Sequence, residues 1–239
     1  MSKIHFVLQG KGGVGKSLVA GLISQYFKDR ETPLVCIDTD PVNDTLASYK
    51  ALPVHRINLI DGSQINEREF DSMMEIMLDN PGHPEIVIDN GASAFIPLSG
   101  YLIDNHALEI LAEHGHVVTI HTIITGGQAL FDTITGLDAL IRQFPEGVKF
   151  VVWLNEYFGE IKQDGKTFQE MKVYHMHEER IQKVITIQKR RELFEQDMQQ
   201  MLKARLTFDE TMRLGEFQLM TKHRLQRIKK DLFAQMEGL

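Results

Sequence analysis

The segment Gly10-Lys11-Gly12-Gly13-Val14-Gly15-Lys16-Ser17 constrains this chain more than any other. It satisfies G-x-x-x-x-G-K-[ST], with Gly10, Gly15, Lys16 and Ser17 at the required positions. The glycines let successive backbone N–H groups turn inward and cradle an anion, which a Cβ would obstruct. Lys16 is then placed to reach the β- and γ-phosphates of a nucleotide, and the Ser17 hydroxyl to ligate Mg²⁺. An apolar run, Ile4 to Leu8, precedes the segment, and an amphipathic pattern over 16–30 follows it. Strand, phosphate loop and helix therefore succeed one another, and the helix N-terminus adds partial positive charge at the loop.

The same alternation continues downstream. Leu34 to Ile37, Glu85 to Asp89, Val117 to His121 and Lys149 to Leu154 read as buried strands. Helical patterns lie near 66–79, 101–114 and 127–143. This predicts an α/β fold: one P-loop NTPase domain over 1–239, with a mostly parallel twisted sheet and helices on both faces. The core is expected over 3–189 and a helical C-terminal region over 190–239. Between Gly159 and Glu179 polar residues replace the apolar runs, which predicts a surface excursion, readable as a hairpin, after the strand ending at Leu154. Near the end, Phe217, Leu225, Ile228, Leu232 and Met236 are spaced as one helix face.

Composition excludes several alternatives. A single cysteine, Cys36, leaves no disulfide framework and no cysteine-rich cluster from one chain. A formal net charge of −7 argues against a protein that coats nucleic acid without selection. The apolar stretch near the N-terminus is interrupted too early for a signal peptide or a spanning helix, so a cytoplasmic location is expected.

Three strand ends fall where a ligand site needs them, at the carboxyl edge of a parallel sheet. Cys36-Ile37-Asp38-Thr39-Asp40-Pro41 places two carboxylates at the end of the second strand. Ile86-Val87-Ile88-Asp89 is an apolar strand ending in an aspartate, a pattern that serves Mg²⁺ in P-loop enzymes. Val151-Val152-Trp153-Leu154-Asn155 ends in an amide able to pair with a base edge. Taken singly, each aspartate is equally readable as a helix cap or turn residue.

Together these residues resemble the ParA/MinD-type ATPases. Lys11 to Ser17 is similar to the deviant Walker A loop of that family, with its early additional lysine. The stretches Asp38 to Pro41, the strand ending at Asp89 and the strand ending at Asn155 are similar to its further motifs. The likeness is clear from Lys3 to about Asn155 and weaker beyond. Within the family the whole chain most resembles the TraL-type conjugal-transfer proteins, including the stretch Leu206-Thr207-Phe208-Asp209-Glu210.

The resemblance implies ATP and Mg²⁺ as cofactors and a face-to-face homodimer that forms with ATP. Gly10, Lys11, Gly12, Gly13, Val14, Gly15, Lys16, Ser17 and Leu18 would hold the nucleotide, with Asn155 hydrogen-bonding adenine. Lys11 would cross to the partner's site, where a cation offsets charge on the transferring phosphoryl group. Lys11, Lys16 and Asp40 would be catalytic, Asp40 by positioning water. Ser17, Asp38 and Asp89 would lie in or near the metal shell, and Asn43 or Asp44 in the segment that senses γ-phosphate. The implied partner is a protein of the conjugation or partition machinery.

The chain departs from the family in reading Asp89-Asn90-Gly91-Ala92, where threonine and prolines are common, which bears on hydrolysis rather than binding. A nucleotide-binding interaction module with little turnover therefore stays open. So does a metabolic ATP-dependent ligase on the same fold, although no small-substrate constellation is visible. His175-x-His177-Glu178 reads as solvent-facing more readily than as a metal site. His114, His116 and His121 flank a buried strand, and Met73, Met74 and Met77 read as core. Lys222, Arg224, Arg227, Lys229 and Lys230 form a basic helix face. That face is readable as solvated, or as a contact for DNA or for the inner membrane at its periphery.

Overall fold

The computed structural model describes residues 2–61, 64–79, 82 and 84–239. Its first elements are β1 (Lys3–Val7), α1 (Lys16–Asp29), β2 (Leu34–Asp38), β3 (Val54–Arg56), β4 (Ile60–Asp61), β5 (Gln64–Ile65) and α2 (Glu69–Leu78). There follow β6 (Glu85–Asp89), α3 (Phe95–Asp104), α4 (Ala107–Glu113), β7 (Val117–Thr125), α5 (Leu130–Gln143) and β8 (Lys149–Asn155). The chain ends with β9 (Lys162–Gln163), β10 (Lys166–Thr167), α6 (Lys172–His177), β11 (Ile181–Ile187), α7 (Glu192–Lys203), α8 (Phe208–Arg213) and α9 (Leu219–Gln235).

Seven strands form one sheet in the order β3-β2-β6-β1-β7-β8-β11, and every neighbouring pair is parallel. Such a sheet is buried on both faces, which is why its strands read as continuous apolar runs. Ile4, Phe6, Ile86, Ile88, Phe150 and Val152 point into one core with α2 to α5. Val7, Val87, Val151 and Trp153 point into a second, with α1 and the C-terminal helices. Met73, Met74 and Met77 lie in the first core, as expected.

The chain first steps from β1 outward to β2 and β3, then returns through β6 and builds β7, β8 and β11 on the other side. The direction reverses at β1, so the loop after β1 sits at the switch point of the sheet. The register aligns Val7 with Asp89, Asp38 with Asp89, and Thr125 with Asn155. The three singled-out strand ends, at Asp38, Asp89 and Asn155, thus share an edge with the glycine loop.

Several boundaries differ from the sequence reading. β7 runs on to Thr125, because Thr122 and Thr125 are buried polar positions inside an otherwise apolar run. The pattern over 101–114 is two helices, broken where His106 adopts a left-handed backbone. The edge strands β3 and β11 were not foreseen. β11 mixes exposed and buried residues, as an edge does. The excursion after β8 does contain a hairpin, with Asp164 and Gly165 both at positive φ in its two-residue turn.

The second core contains a polar ladder. Trp153 Nε1–H donates to His121 Nδ1 at 3.0 Å. Indole can only donate, so the neutral His121 ring carries its proton on Nε2 and donates to His5 Nδ1 at 2.9 Å. His5 Nε2–H then faces Glu85 at 3.0 Å. Burial holds both imidazoles below their ordinary pKa. His121 is therefore a satisfied core residue.

The C-terminal helix packs much as its spacing predicts: Leu225, Ile228 and Leu232 on α9 are buried, as are Met236, which caps it, and Phe217, which lies before its first turn and not on the helix. Its basic face is engaged in part. Arg224 pairs with Asp197, and Lys229 reaches Asp29 and Asp209. Offering α9's apolar face to a membrane would uncover Leu225, Ile228, Leu232, Phe233 and Met236. At roughly 1.5–3 kcal/mol each, that approaches the total stability of a domain. Among the described residues no helix is long and apolar enough to cross a membrane.

Candidate functional site

The loop between β1 and α1 takes the shape its glycines permit. Gly13 and Gly15 have φ of 75° and 107°, which L side chains rarely adopt. Gly15 caps α1, and a Cβ there would come within 3.0 Å of Asn155 Nδ2. On one side of the loop lies a cavity of about 460 Å³ bordered by Lys16, Ser17, Asp40 and Asn43. On the other lies an apolar cavity of about 260 Å³ bordered by Leu18, Tyr157, Ile187, Phe194, Met198 and Ile228.

Lys16 is buried, and its ammonium donates to the Lys11 carbonyl at 3.1 Å. Desolvation lowers its pKa, against the pull of Asp89 and Asp40. A desolvated cation at a helix start is a site that an anion completes.

The carboxylates behind Lys16 differ in their partners. Asp38 accepts from the Asp40 N–H at 3.0 Å and the Ala47 N–H at 2.9 Å, which fixes the turn after β2. Asp40 Oδ1 accepts from the Val42 and Asn43 N–H groups. Asp89 is 1% exposed and neither of its oxygens accepts a hydrogen bond. Burial raises its pKa to about 7; the Ser17 side chain is close enough to oppose that rise, though not in hydrogen-bonding geometry.

An unpartnered, buried carboxylate beside a hydroxyl and two further carboxylates suits a hard cation. Among the described residues no group of three or more His, Cys, Asp or Glu side chains could hold a metal alone. In Mg²⁺ sites the protein commonly supplies one or two ligands, and phosphate and water supply the others. Ser17 and Asp89 fit as those ligands, with Asp38 behind them. His177 is engaged elsewhere, 2.6 Å from Asp138.

Two expectations meet a different arrangement. The Asn155 amide, reserved for adenine in the sequence reading, is committed within the chain. Its Nδ2 donates to the Val14 carbonyl at 2.9 Å and its Oδ1 accepts from the Tyr157 N–H at 3.2 Å. It braces the loop against β8 and borders the apolar cavity with one edge. Lys11, expected to reach a partner, rests 2.8 Å from Asp132 on α5, with both side chains about half exposed.

The unusual Asn90-Gly91 has a local explanation. Asn90 is buried and receives the Thr39 hydroxyl at 3.1 Å. A Cβ on Gly91 would stand 2.7 Å from the Asp40 carboxyl group, so only glycine lets Asp40 lie there. Sequence reasoning missed Gln9, Asp132 and the apolar wall from α7 and α9, none of which carries a motif.

Fold, loop and carboxylates define the class: a P-loop NTPase fold of the MinD type. The MinC:MinD cell division protein complex of Aquifex aeolicus superposes with a TM-score of 0.52 at 12% identity, over 100% of this chain and 98% of that one. MinD cell division protein of the same organism gives 0.52 at 13%, over 98% and 97%. No family model matches the chain. Two curated relatives, each Protein TraL of Escherichia coli, are 48% and 47% identical to it over 240 and 239 residues. Each alignment spans 100% of this chain and 98% of the relative. The chain belongs to the TraL family.

Proposed function

We propose that this chain is a Mg²⁺-dependent, ATP-binding switch that hydrolyses ATP slowly under partner stimulation and works as an ATP-dependent homodimer. The whole of 1–239 acts as one domain. Its setting is plasmid conjugal transfer or the positioning of DNA or protein, a reading supported by the TraL relatives. The neighbour solved as a MinC:MinD complex supports a protein partner.

The observation that carries the proposal is Asp89, whose two buried oxygens have no partner beside the phosphate loop. Bound there, Mg²⁺ and ATP would supply the triphosphate and its counter-charge. The loop N–H groups and Lys16 hold the phosphates, Ser17 and Asp89 hold the cation, and Asp40 orients water with the oxygen that its turn leaves free. Lys11 leaves Asp132 and neutralises charge in the partner's site. Val42 after β2, and Ile96 and Phe131 in the first turns of α3 and α5, are each at least 70% exposed and are apolar surface for the second copy to cover.

Sedimentation with Mg²⁺ and a slowly hydrolysed ATP analogue tests this. Wild type should double in mass and Lys11→Ala should not. A wild type that stays monomeric, or a Lys11→Ala variant that pairs equally well, would remove the dimeric switch. The Asn90-Gly91 arrangement favours a second reading, a binding module with little turnover. Steady turnover that Asp40→Ala abolishes would exclude it.

A further inference from the structure

Gln9 lies just before the loop, is 2% exposed, and reaches across to α5. Its Nε2 donates to the Ile123 carbonyl at 3.0 Å and to the Thr133 carbonyl at 3.3 Å. Its Oε1 faces the Lys11 N–H at 3.4 Å. Two acceptors at one end and a donor at the other fix which way the amide points. The contact needs room on α5, and Gly136 provides it: a Cβ there would stand 2.6 Å from Gln9 Oε1. Glycine inside a helix costs about 1 kcal/mol relative to alanine, so its presence calls for a packing reason.

α5 itself is pinned at this point. The Thr133 hydroxyl accepts from the Thr125 N–H at 3.3 Å, and Asp132 beside it holds the Lys11 ammonium at 2.8 Å. Gln9 therefore touches both ends of one short circuit: the backbone of Lys11, and the turn of α5 on which the Lys11 side chain rests.

We propose that Gln9, seated in the space left by Gly136, is a positioning residue for Lys11. It locks the first half of the loop to α5 and so sets the resting place of the Lys11 ammonium on Asp132. The functional consequence rests on the switch reading above, because it is the release of Lys11 from this place that would feed the partner's site. The positioning itself is independent of nucleotide.

Acylation of lysines in the ligand-free chain, read residue by residue by mass spectrometry, tests it. Asp132→Asn removes the ion pair and should speed labelling of Lys11 by about two- to fivefold, the range for an exposed pair. Gln9→Met keeps the shape and removes the hydrogen bonds; it should speed Lys11 labelling comparably, with Lys16 unchanged. Gly136→Ala should do the same by expelling Gln9, and Gln9→Ala with Gly136→Ala should do no more than either alone. Should Gly136→Ala fail to fold, Gln9→Met decides the matter.

Lys11 labelling at the wild-type rate in Gln9→Met would overturn the proposal. So would a rise in which Lys16 shares, since that reports a loosened loop, and so would an Asp132→Asn variant that labels like wild type. A chain that binds no nucleotide would sink the switch reading and leave the labelling result standing.

Discussion

On one side of the glycine loop the cavity is bordered by Lys16, Ser17, Asp40, Asn43 and Thr45; on the other, by Phe194, Met198, Leu202, Ile228 and Leu232. Gly13, Gly15 and Leu18 border both. The polar side is held in a state its own groups disfavour: a desolvated lysine, and an aspartate with no hydrogen-bond partner. The apolar side has no such tension, being the gap left where α7 and α9 pack beside β8 and β11. A triphosphate would relieve the first side, whereas a planar base would only fill the second. Affinity and metal dependence should therefore depend on the polar side, and discrimination among phosphate compounds on the apolar one.

The largest effect that could break this contrast is at Asp89. Its folded pKa of about 7 lies above the ordinary carboxylate value of 3.8. The penalty is absent below pH 3.8, grows as pH rises towards 7, and is complete above it. Fully ionised, it is on the order of 4 kcal/mol. Asp89→Asn should therefore be more stable than wild type in urea at pH 8, lose that advantage near pH 4, and lose Mg²⁺-dependent nucleotide binding. An Asn variant no more stable at pH 8 would mean that Lys16 and Ser17 already satisfy the carboxylate, and the polar side would not be poised. Lys16→Ala comes next. Removing a charge-assisted hydrogen bond of about 2–3 kcal/mol should weaken ATP and tripolyphosphate together by about 30- to 150-fold in calorimetry. Loss of ATP binding alone would contradict the assignment of sides.

The same contrast explains what could be read from the sequence. The polar side is one contiguous loop plus strand ends, and its chemistry demands particular residue types at fixed spacing. Gly10 to Ser17, Asp38, Asp40 and Asp89 were legible for that reason, and the buried strands that carry them for another, their unbroken apolar runs. The apolar side is assembled from β8, β11, α7 and α9, in positions where leucine, methionine and phenylalanine serve equally well, so Phe194 or Met198 gave no sign. Asn155 fell between the two. Its place at a strand end was readable, but its hydrogen bonds to Val14 and Tyr157 depend on how the loop lies over β8. Gln9 and Gly136 were illegible because a long-range fit between one amide and one missing Cβ has no local signature.

The apolar side yields smaller effects. Met198→Trp should fill the cavity beside Leu18, weakening ATP by about tenfold, near 1.4 kcal/mol, while tripolyphosphate binds as before. Equal weakening of both would show that the bulk was felt through Leu18 or Gly15, and the two sides would not be separable.

The smallest effect concerns the mouth of that cavity, where Gln199 Nε2 donates to the Tyr157 hydroxyl at 3.1 Å. Both side chains are exposed, and both border the cavity. A hydrogen bond between neutral exposed groups contributes at most about 1 kcal/mol. If the cavity is a gap fixed by the packing of Ile187, Phe194 and Ile228, closing its mouth adds little. Tyr157→Phe should then change ATP affinity by no more than about fivefold and its dissociation rate by a similar factor. A dissociation rate raised tenfold or more in stopped-flow measurements would require the Tyr157–Gln199 contact to act as a clasp over bound nucleotide. The apolar side would then be a moving part, and the difference between the two sides would be one of timing as well as of chemistry.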